Sequence, residues 1–415
     1  MKVFKFGGAS VKDAKSVKNV ANVLKHEGFK NTVVIISAMG KMTNAFEKIV
    51  NSYFQKSAAI SQNIEDVRNF HLQITNDLFE ENTHSFFTEI EILFGQLGTF
   101  LIQNKSKNYN LIYDQIVGFG ELLSTKIVSA YLNKINIKNT WVDVRDYIKT
   151  DAFYRDAKVD WKKTQQNIQQ LKSSSLIITQ GFLGSNKEHK TTTLGREGSD
   201  FSAAIFAFCL EAKSVTIWKD VPGVLNADPR FFENTQLLNH ISYNEAIEMA
   251  FYGASVIHPK TLKPLENKNI PLYVRSFYDI ENKGTTVSKG TALAPETACY
   301  ILKQHQILIA FSAKDFSFMV EENLSDIFKK LHEFKLKVNL IQNSALSFSV
   351  CVEDKYNRLT DFLQEINLKY QVNYTNNVAL YTVRHANKKA IEFIEKKGTL
   401  LLKQATKGTV QFIMK

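Results

Sequence analysis

The chain is poor in cysteine. Only Cys209, Cys299 and Cys351 occur in 415 residues, far apart and without metal-ligand spacing. That pattern excludes a zinc cluster and a disulfide framework, and it fits a reduced, cytoplasmic compartment. No run of eighteen apolar residues is present and no leader-like segment opens the chain, so no membrane partner is expected. The phosphate loop GxxxxGK[ST] is missing, as are protein-kinase HRD and DFG strings. Any phosphoryl transfer must therefore use a different nucleotide site. Dense basic blocks are also lacking. The net charge of +11, from 52 basic and 41 acidic residues, comes from lysines spread along the chain. This spread argues against a nucleic-acid partner and suits a surface that draws in anionic substrates.

The residues present, 44% apolar and 22% charged, can build two or three domains with a large core. The first part alternates strands and helices. Strands are expected at Lys2–Phe6, Thr32–Ser37, Asn139–Val144, Leu176–Gln180, Ser214–Trp218 and Pro271–Phe277. Their apolar runs suit a buried, mainly parallel sheet. A polar helical excursion is expected over 44–103. Ser242 and Glu245 have capping-box spacing before a helix. His258, ahead of Pro259, reads as structural.

A Gly/Thr/Ser-rich stretch marks the main boundary near 287–300. Beyond it, strand and helix alternate in a β-α-β-β-α-β order, which predicts two ferredoxin-like modules at 301–375 and 376–415. The second is short and is expected to borrow a strand near 298–302.

The most informative segment is TTTLGREGSDFSAA, Thr191 to Ala204. It follows an apolar strand and opens a helix. Free amides at a helix N-terminus attract anions, and glycines let backbone approach a ligand. Arg196 can clamp a carboxylate or phosphate with two hydrogen bonds. Lys5-Phe6-Gly7-Gly8 ends the first strand, where ligands bind in open α/β sheets. Ser37 and Thr43 flank the end of the second strand and serve either a ligand or helix capping. Gly118-Phe119-Gly120-Glu121 reads as the start of a helix, where the macrodipole favours the Glu121 carboxylate. Trp218 to Gly223 and Asn226 to Arg230 form a turn-rich loop with a cation at each end.

In order along the chain, KFGGAS, SAMGKMTN, GFGELLS, TTLGREGSD, WKDVPGVLNADPR and YGASVIHPKTLKP resemble the aspartokinase pattern of the amino-acid kinase superfamily. The resemblance runs from Met1 to about Thr286, and the C-terminal modules resemble the tandem ACT domains that follow such catalytic domains. It implies a parallel sheet sandwiched by helices over residues 1–286, followed by two ACT modules. The implied activity is monofunctional, with no dinucleotide-binding unit of a fused homoserine dehydrogenase. The γ-phosphoryl group of ATP would pass to the 4-carboxylate of L-aspartate, with Mg2+ carried mainly by the ATP phosphates and no protein metal site.

Under this resemblance Lys5 would stabilise the transferring phosphoryl group, Asp200 would orient Lys5, and Gly7, Gly8 and Ser10 would line the phosphate site. Arg196 would grip the substrate α-carboxylate and Glu121 its ammonium, with Ser37, Thr43 and Ser199 completing the pocket. Lys219, Asp220, Leu225, Asp228, Arg230 and Ser255 fall at nucleotide-binding positions. Asn339, Gln342, Asn343 and Ser344 fall in the segment that binds an amino-acid effector, here lysine or threonine. Pairing of ACT edges implies a homodimer or a dimer of dimers. The chain departs from the common pattern at Ala9, Glu197, Lys219, Leu225 and Ser255. The alternative is an inactive or non-aspartate relative acting as an amino-acid sensor.

Overall fold

A computed structural model describes residues 1–79, 86–171, 175–254, 257–290, 292–315 and 317–415. Ser255 and positions 80–85 of the expected helical excursion lie outside the described residues. The chain packs as two compact units. The first comprises Met1–Val224, Leu237–Ile247 and Val256–Pro295, and the second Leu225–Gln236, Glu248–Ser255 and Glu296–Lys415.

The first unit begins with β1 (Lys2–Phe6), α1 (Ala14–Glu27) and β2 (Thr32–Ile36). Four helices follow: α2 (Met42–Phe54), α3 (Ile60–Phe79), α4 (Phe86–Gln103) and the 26-residue α5 (Tyr109–Lys134). Next come β3 (Asn139–Trp141), α6 (Val144–Tyr147), α7 (Trp161–Ile168), β4 (Leu176–Gln180) and a hairpin of β5 (Leu183–Ser185) with β6 (Thr191–Thr193). The remaining elements are α8 (Gly198–Leu210), β7 (Ser214–Lys219), β8 (His240–Ser242), α9 (Tyr243–Tyr252, of which only the part up to Ile247 belongs to this unit), α10 (Pro259–Lys268), β9 (Leu272–Ser276) and β10 (Thr285–Ser288).

Eight strands form one sheet in the order β3-β4-β2-β1-β7-β9-β10-β8. Every neighbouring pair is parallel except β9–β10. The run TVVII in β2, apolar after Thr32, is buried at every position, as helices on both faces of a parallel sheet require. Trp218 anchors the centre, stacked on Phe6 at 6.1 Å and edge-on to Phe4 at 6.1 Å. Ser242 Oγ accepts from Glu245 N at 3.0 Å and so caps α9. His258 caps α10, its Nδ1 accepting from Lys260 N at 3.2 Å.

The second unit contains β11 (Cys299–Ala313), α11 (Glu321–Glu333), β12 (Lys337–Asn343), β13 (Phe348–Glu353), α12 (Leu359–Ile366), β14 (Tyr370–Arg384), α13 (Lys388–Glu395), β15 (Leu400–Thr406) and β16 (Thr409–Met414). They build a single sheet ordered β12-β13-β11-β14-β16-β15. Two separate short strands were expected at 298–302 and 306–312. Instead β11 is one strand, pairing with β14 from Cys299↔Arg384 to Ala313↔Tyr370 across register shifts between Lys303 and Leu308. Position 376 falls inside β14. Phe311, Phe348 and Phe362 centre one core of this unit, and Val383, Phe412 and Ile394 another. Among the described residues no helix is long and apolar enough to cross a membrane.

Candidate active site

Parallel register brings the C-terminal ends of four strands level. Phe6 of β1 lies opposite Ile36 of β2 and Trp218 of β7, and Ile36 lies opposite Gln180 of β4. The next residues are Gly7, Ser37 and Gly181, which follow their strands, and Lys219, the last residue of β7. Lys5, one position before Phe6, is 8% exposed. Its ammonium pairs with Asp200 Oδ1 at 2.6 Å, in the first turn of α8, while Lys219 lies 3.6 Å from Asp200 Oδ2. Burial pushes the Asp200 carboxyl upward, but Lys5 and then Lys219 outweigh it and hold the group below the usual carboxylate range. Two ammonium groups around one carboxylate leave a net positive cradle.

Glycine is required at one position beside this cradle. A Cβ on Gly7 would meet only Lys5 Nζ, at 3.4 Å, but one on Gly8 would lie 2.6 Å from the Gly40 carbonyl oxygen and 2.8 Å from that of Ala38. Gly8 is therefore fixed by the backbone of the 38–40 loop. Ser10 is buried, its Oγ 3.5 Å from the Trp218 carbonyl oxygen. Ser37 is half-buried, and its carbonyl accepts from Ser124 Oγ at 2.7 Å. Thr43 lies in the first turn of α2. Ser199 packs on Gly181, where an added Cβ would fall 2.5 Å from Ser199 Cβ.

Glu121 corrects the reading of its helix. Gly118 and Gly120 do not begin a helix. They lie in the middle of α5, so no macrodipole terminus holds the carboxylate. The glycines serve close packing instead. A Cβ on Gly118 would approach Thr191 Cγ2 to 3.2 Å, and one on Gly120 would approach the Phe46 ring to 3.2 Å. Glu121 is 2% exposed. Its Oε1 accepts one long hydrogen bond, 3.4 Å from Ala38 N, and its Oε2 has no partner among the described residues. Burial pushes the carboxyl up to about 8 against the pull of that hydrogen bond. A buried acid so poorly satisfied is costly on its own, and an incoming cation would relieve it.

Arg196 is exposed on the loop between β6 and α8. Gly195 before it has φ 78° and Glu197 after it φ 53°. The left-handed region is open to glycine but costs another residue about 1–2 kcal/mol, which explains why glycine suits the Glu197 position. Arg155 and Phe182, in the first unit, also have positive φ, 70° and 69°. Such strain gathers at functional sites.

Asp220 is exposed after β7. Leu225, Asp228 and Arg230 belong to the second unit, where Arg230 and Asp228 clasp each other, Nη2 to Oδ2 at 2.6 Å. In the same unit Gln342, Asn343 and Ser344 line a polar cavity of about 320 Å3 with Ser349 and Lys403. Asn339 is not among them. Its Oδ1 accepts from Lys303 Nζ at 2.9 Å, and its Nδ2 donates to Gln306 Oε1 at 2.7 Å. Among the described residues no group of three or more His, Cys, Asp or Glu could hold a metal ion.

A family model described as the amino acid kinase family matches residues 1–276, and the chain belongs to that family. Within it the chain stands among the aspartokinases. Lysine-sensitive aspartokinase 3 of Escherichia coli is 30% identical over 357 residues, covering 85% of this chain and 78% of that protein. The bifunctional aspartokinase/homoserine dehydrogenase of Buchnera aphidicola is 30% identical over 396 residues, 89% of this chain and 47% of that protein. The chain thus spans about half the length, or less, of the bifunctional relatives it matches. The crystal structure of E. coli aspartokinase III with lysine and aspartate, in its T-state, superposes with a TM-score of 0.83 at 27% identity, covering 100% of this chain and 96% of that one. The same enzyme with aspartate and ADP, in its R-state, gives 0.82 at 27% identity.

Proposed function

We propose that the chain transfers the γ-phosphoryl group of ATP to the 4-carboxylate of L-aspartate, giving 4-phospho-L-aspartate, the first step toward lysine, threonine and methionine. The observation that carries this reading is the pair of unlike features near the C-terminal ends of the central strands β1 and β2. A cationic cradle of Lys5 and Lys219 around Asp200 suits phosphate, and the buried, half-satisfied Glu121 suits an ammonium group.

The acceptor carboxylate is already a nucleophile, so no strong base is needed. Catalysis consists of bringing two anions together and neutralising the charge that develops. Lys5 faces the transferring group, and Asp200 fixes its direction. Gly7 and Gly8 leave room for the phosphates, with Ser10 behind them, and Lys219 with Asp220 meets the nucleotide. Glu121 receives the substrate ammonium, Arg196 its α-carboxylate, and Ser37, Thr43 and Ser199 complete the pocket. Such positioning is worth roughly 7–11 kcal/mol of the barrier when the geometry is near attack. Mg2+ would travel with the nucleotide. The carboxylate in the cradle is already paired with two lysines, so no protein residue is assigned to the metal.

The enzyme is placed in the cytoplasm, as a homodimer or dimer of dimers, with an amino-acid effector, lysine or threonine, at the Gln342–Ser344 cavity. The decisive assay is ADP release with aspartate, with glutamate and homoserine as controls. Release that depends on aspartate alone is expected; equal release with glutamate, or none with any of the three, overturns the assignment.

A further inference from the structure

Asp114 has no part in the roles proposed above, yet it is 0% exposed. It lies on α5 two helical turns before Glu121, so the two carboxylates share a face. Its Oδ1 accepts from Thr193 Oγ1 at 2.8 Å and its Oδ2 from Thr193 N at 2.8 Å. Both oxygens also meet Arg155 N, at 3.2 and 3.0 Å. Burial pushes this carboxyl up to about 6, while the Arg155 and Thr193 hydrogen bonds oppose the shift.

Beside it, Gln115 donates to the Thr191 carbonyl at 2.7 Å and accepts from Thr191 N at 3.1 Å. β6 is therefore laddered by β5 on one edge and by α5 side chains on the other. The Arg155 segment is tied to the same strand, with Ala157 N donating to the Thr193 carbonyl at 2.9 Å. It reaches the loop beyond as well, because a Cβ on Gly195 would lie 2.6 Å from Asp156 Oδ1. One buried carboxylate thus fastens both β6, which leads into the Arg196 loop, and the 155–157 segment that packs on Gly195.

We infer that Asp114 is a positioning residue for the substrate α-carboxylate, setting the Arg196 loop against the pocket whose ammonium end is Glu121. The inference rests on the aspartate reading above. In that geometry one helix registers both ends of the amino acid: Glu121 directly, and Arg196 through Asp114 and Thr193.

The test is steady-state kinetics of the full chain carrying Asp114→Asn, Arg196→Lys and the double change, with thermal melts to confirm folding. Asp114→Asn should raise the aspartate KM about tenfold and leave the ATP KM within about twofold. It should add little in the Arg196→Lys background, since coupled residues are not additive. Thr193→Val, which removes one of the Asp114 hydrogen bonds and keeps the shape, should raise the aspartate KM about threefold even if Asp114→Asn does not fold. Additive effects of Asp114→Asn and Arg196→Lys, equal rises in both KM values, or an unchanged aspartate KM in Thr193→Val would each overturn the inference. An unsubstituted chain that releases no ADP with aspartate would overturn the underlying reading instead.

Discussion

Each unit holds a titratable group that burial shifts strongly, an acid in the first and a base in the second, and the two are satisfied differently. In the first unit Glu121 is an acid with one long hydrogen bond and a free oxygen, pushed up to about 8 by burial. In the second, Lys303 is a base pushed down to about 8, by burial first and then by Lys337, and it has a side-chain acceptor in Asn339 at 2.9 Å. The internal partner distinguishes them. Lys303 finds its partner within the sheet and links β11 to β12, whereas Glu121 stays incompletely paired among the described residues, as its proposed contact with an ammonium group requires.

The largest break in this comparison comes from the cradle. Lys5→Ala should lower kcat about 10^2–10^3-fold, the usual loss for one preorganised electrostatic group, with the aspartate KM changed far less. Equal losses in turnover and affinity, measured by ADP release, would contradict the role of Lys5.

Glu121→Gln should raise the aspartate KM at least about tenfold, or 1.4 kcal/mol, and should not destabilise the ligand-free protein. The sign follows from the raised folded value. The contribution of Glu121 to stability is complete below its usual 4.5 and lost as pH rises through about 8. The ligand-free melting temperature should therefore fall over that window and flatten in Glu121→Gln. Aspartate binding near pH 7 should release about one proton as the carboxyl ionises, readable by calorimetry in buffers of different ionisation enthalpy.

Lys219→Thr removes the second cation on Asp200 and should raise the ATP KM about threefold to tenfold, or up to 1.4 kcal/mol. An unchanged ATP KM would remove Lys219 from the nucleotide's surroundings.

The smallest effect sharpens the contrast. Lys303 is lowered from 10.5 to about 8, so between those values the unfolded chain binds a proton that the folded chain does not. Stability should rise with pH across that window, opposite to the Glu121 slope. Lys303→Met should abolish the rise in a pH series of melts and leave basal kcat unchanged.

Much of this was legible in the sequence because local strings carried it. Lys5 near the end of an apolar strand, and Arg196 and Asp200 on either side of Gly198, sit where such strings usually sit. Glu121 was legible as a candidate but not in its setting. Two glycines suggest a helix start, and only the packing of Phe46 and Thr191 explains them in mid-helix. Asp114 gave no signal, because a lone acid in a helical run looks like a solvated face until β6 is laid against it. The β5–β6 hairpin was missed because three-residue strands show little alternation. The Lys303–Asn339 link depends on the lateral order of strands, which local periodicity does not encode.

The two fifteen-residue strands of the second sheet have a consequence for dissection. A cut after Thr375 severs β14 in mid-strand and strips Cys299–Lys303 of its β14 partners. The severed piece would then present raw backbone donors and acceptors, an invitation to clump with other chains. The tail is better studied whole, since neither half owns its own fabric.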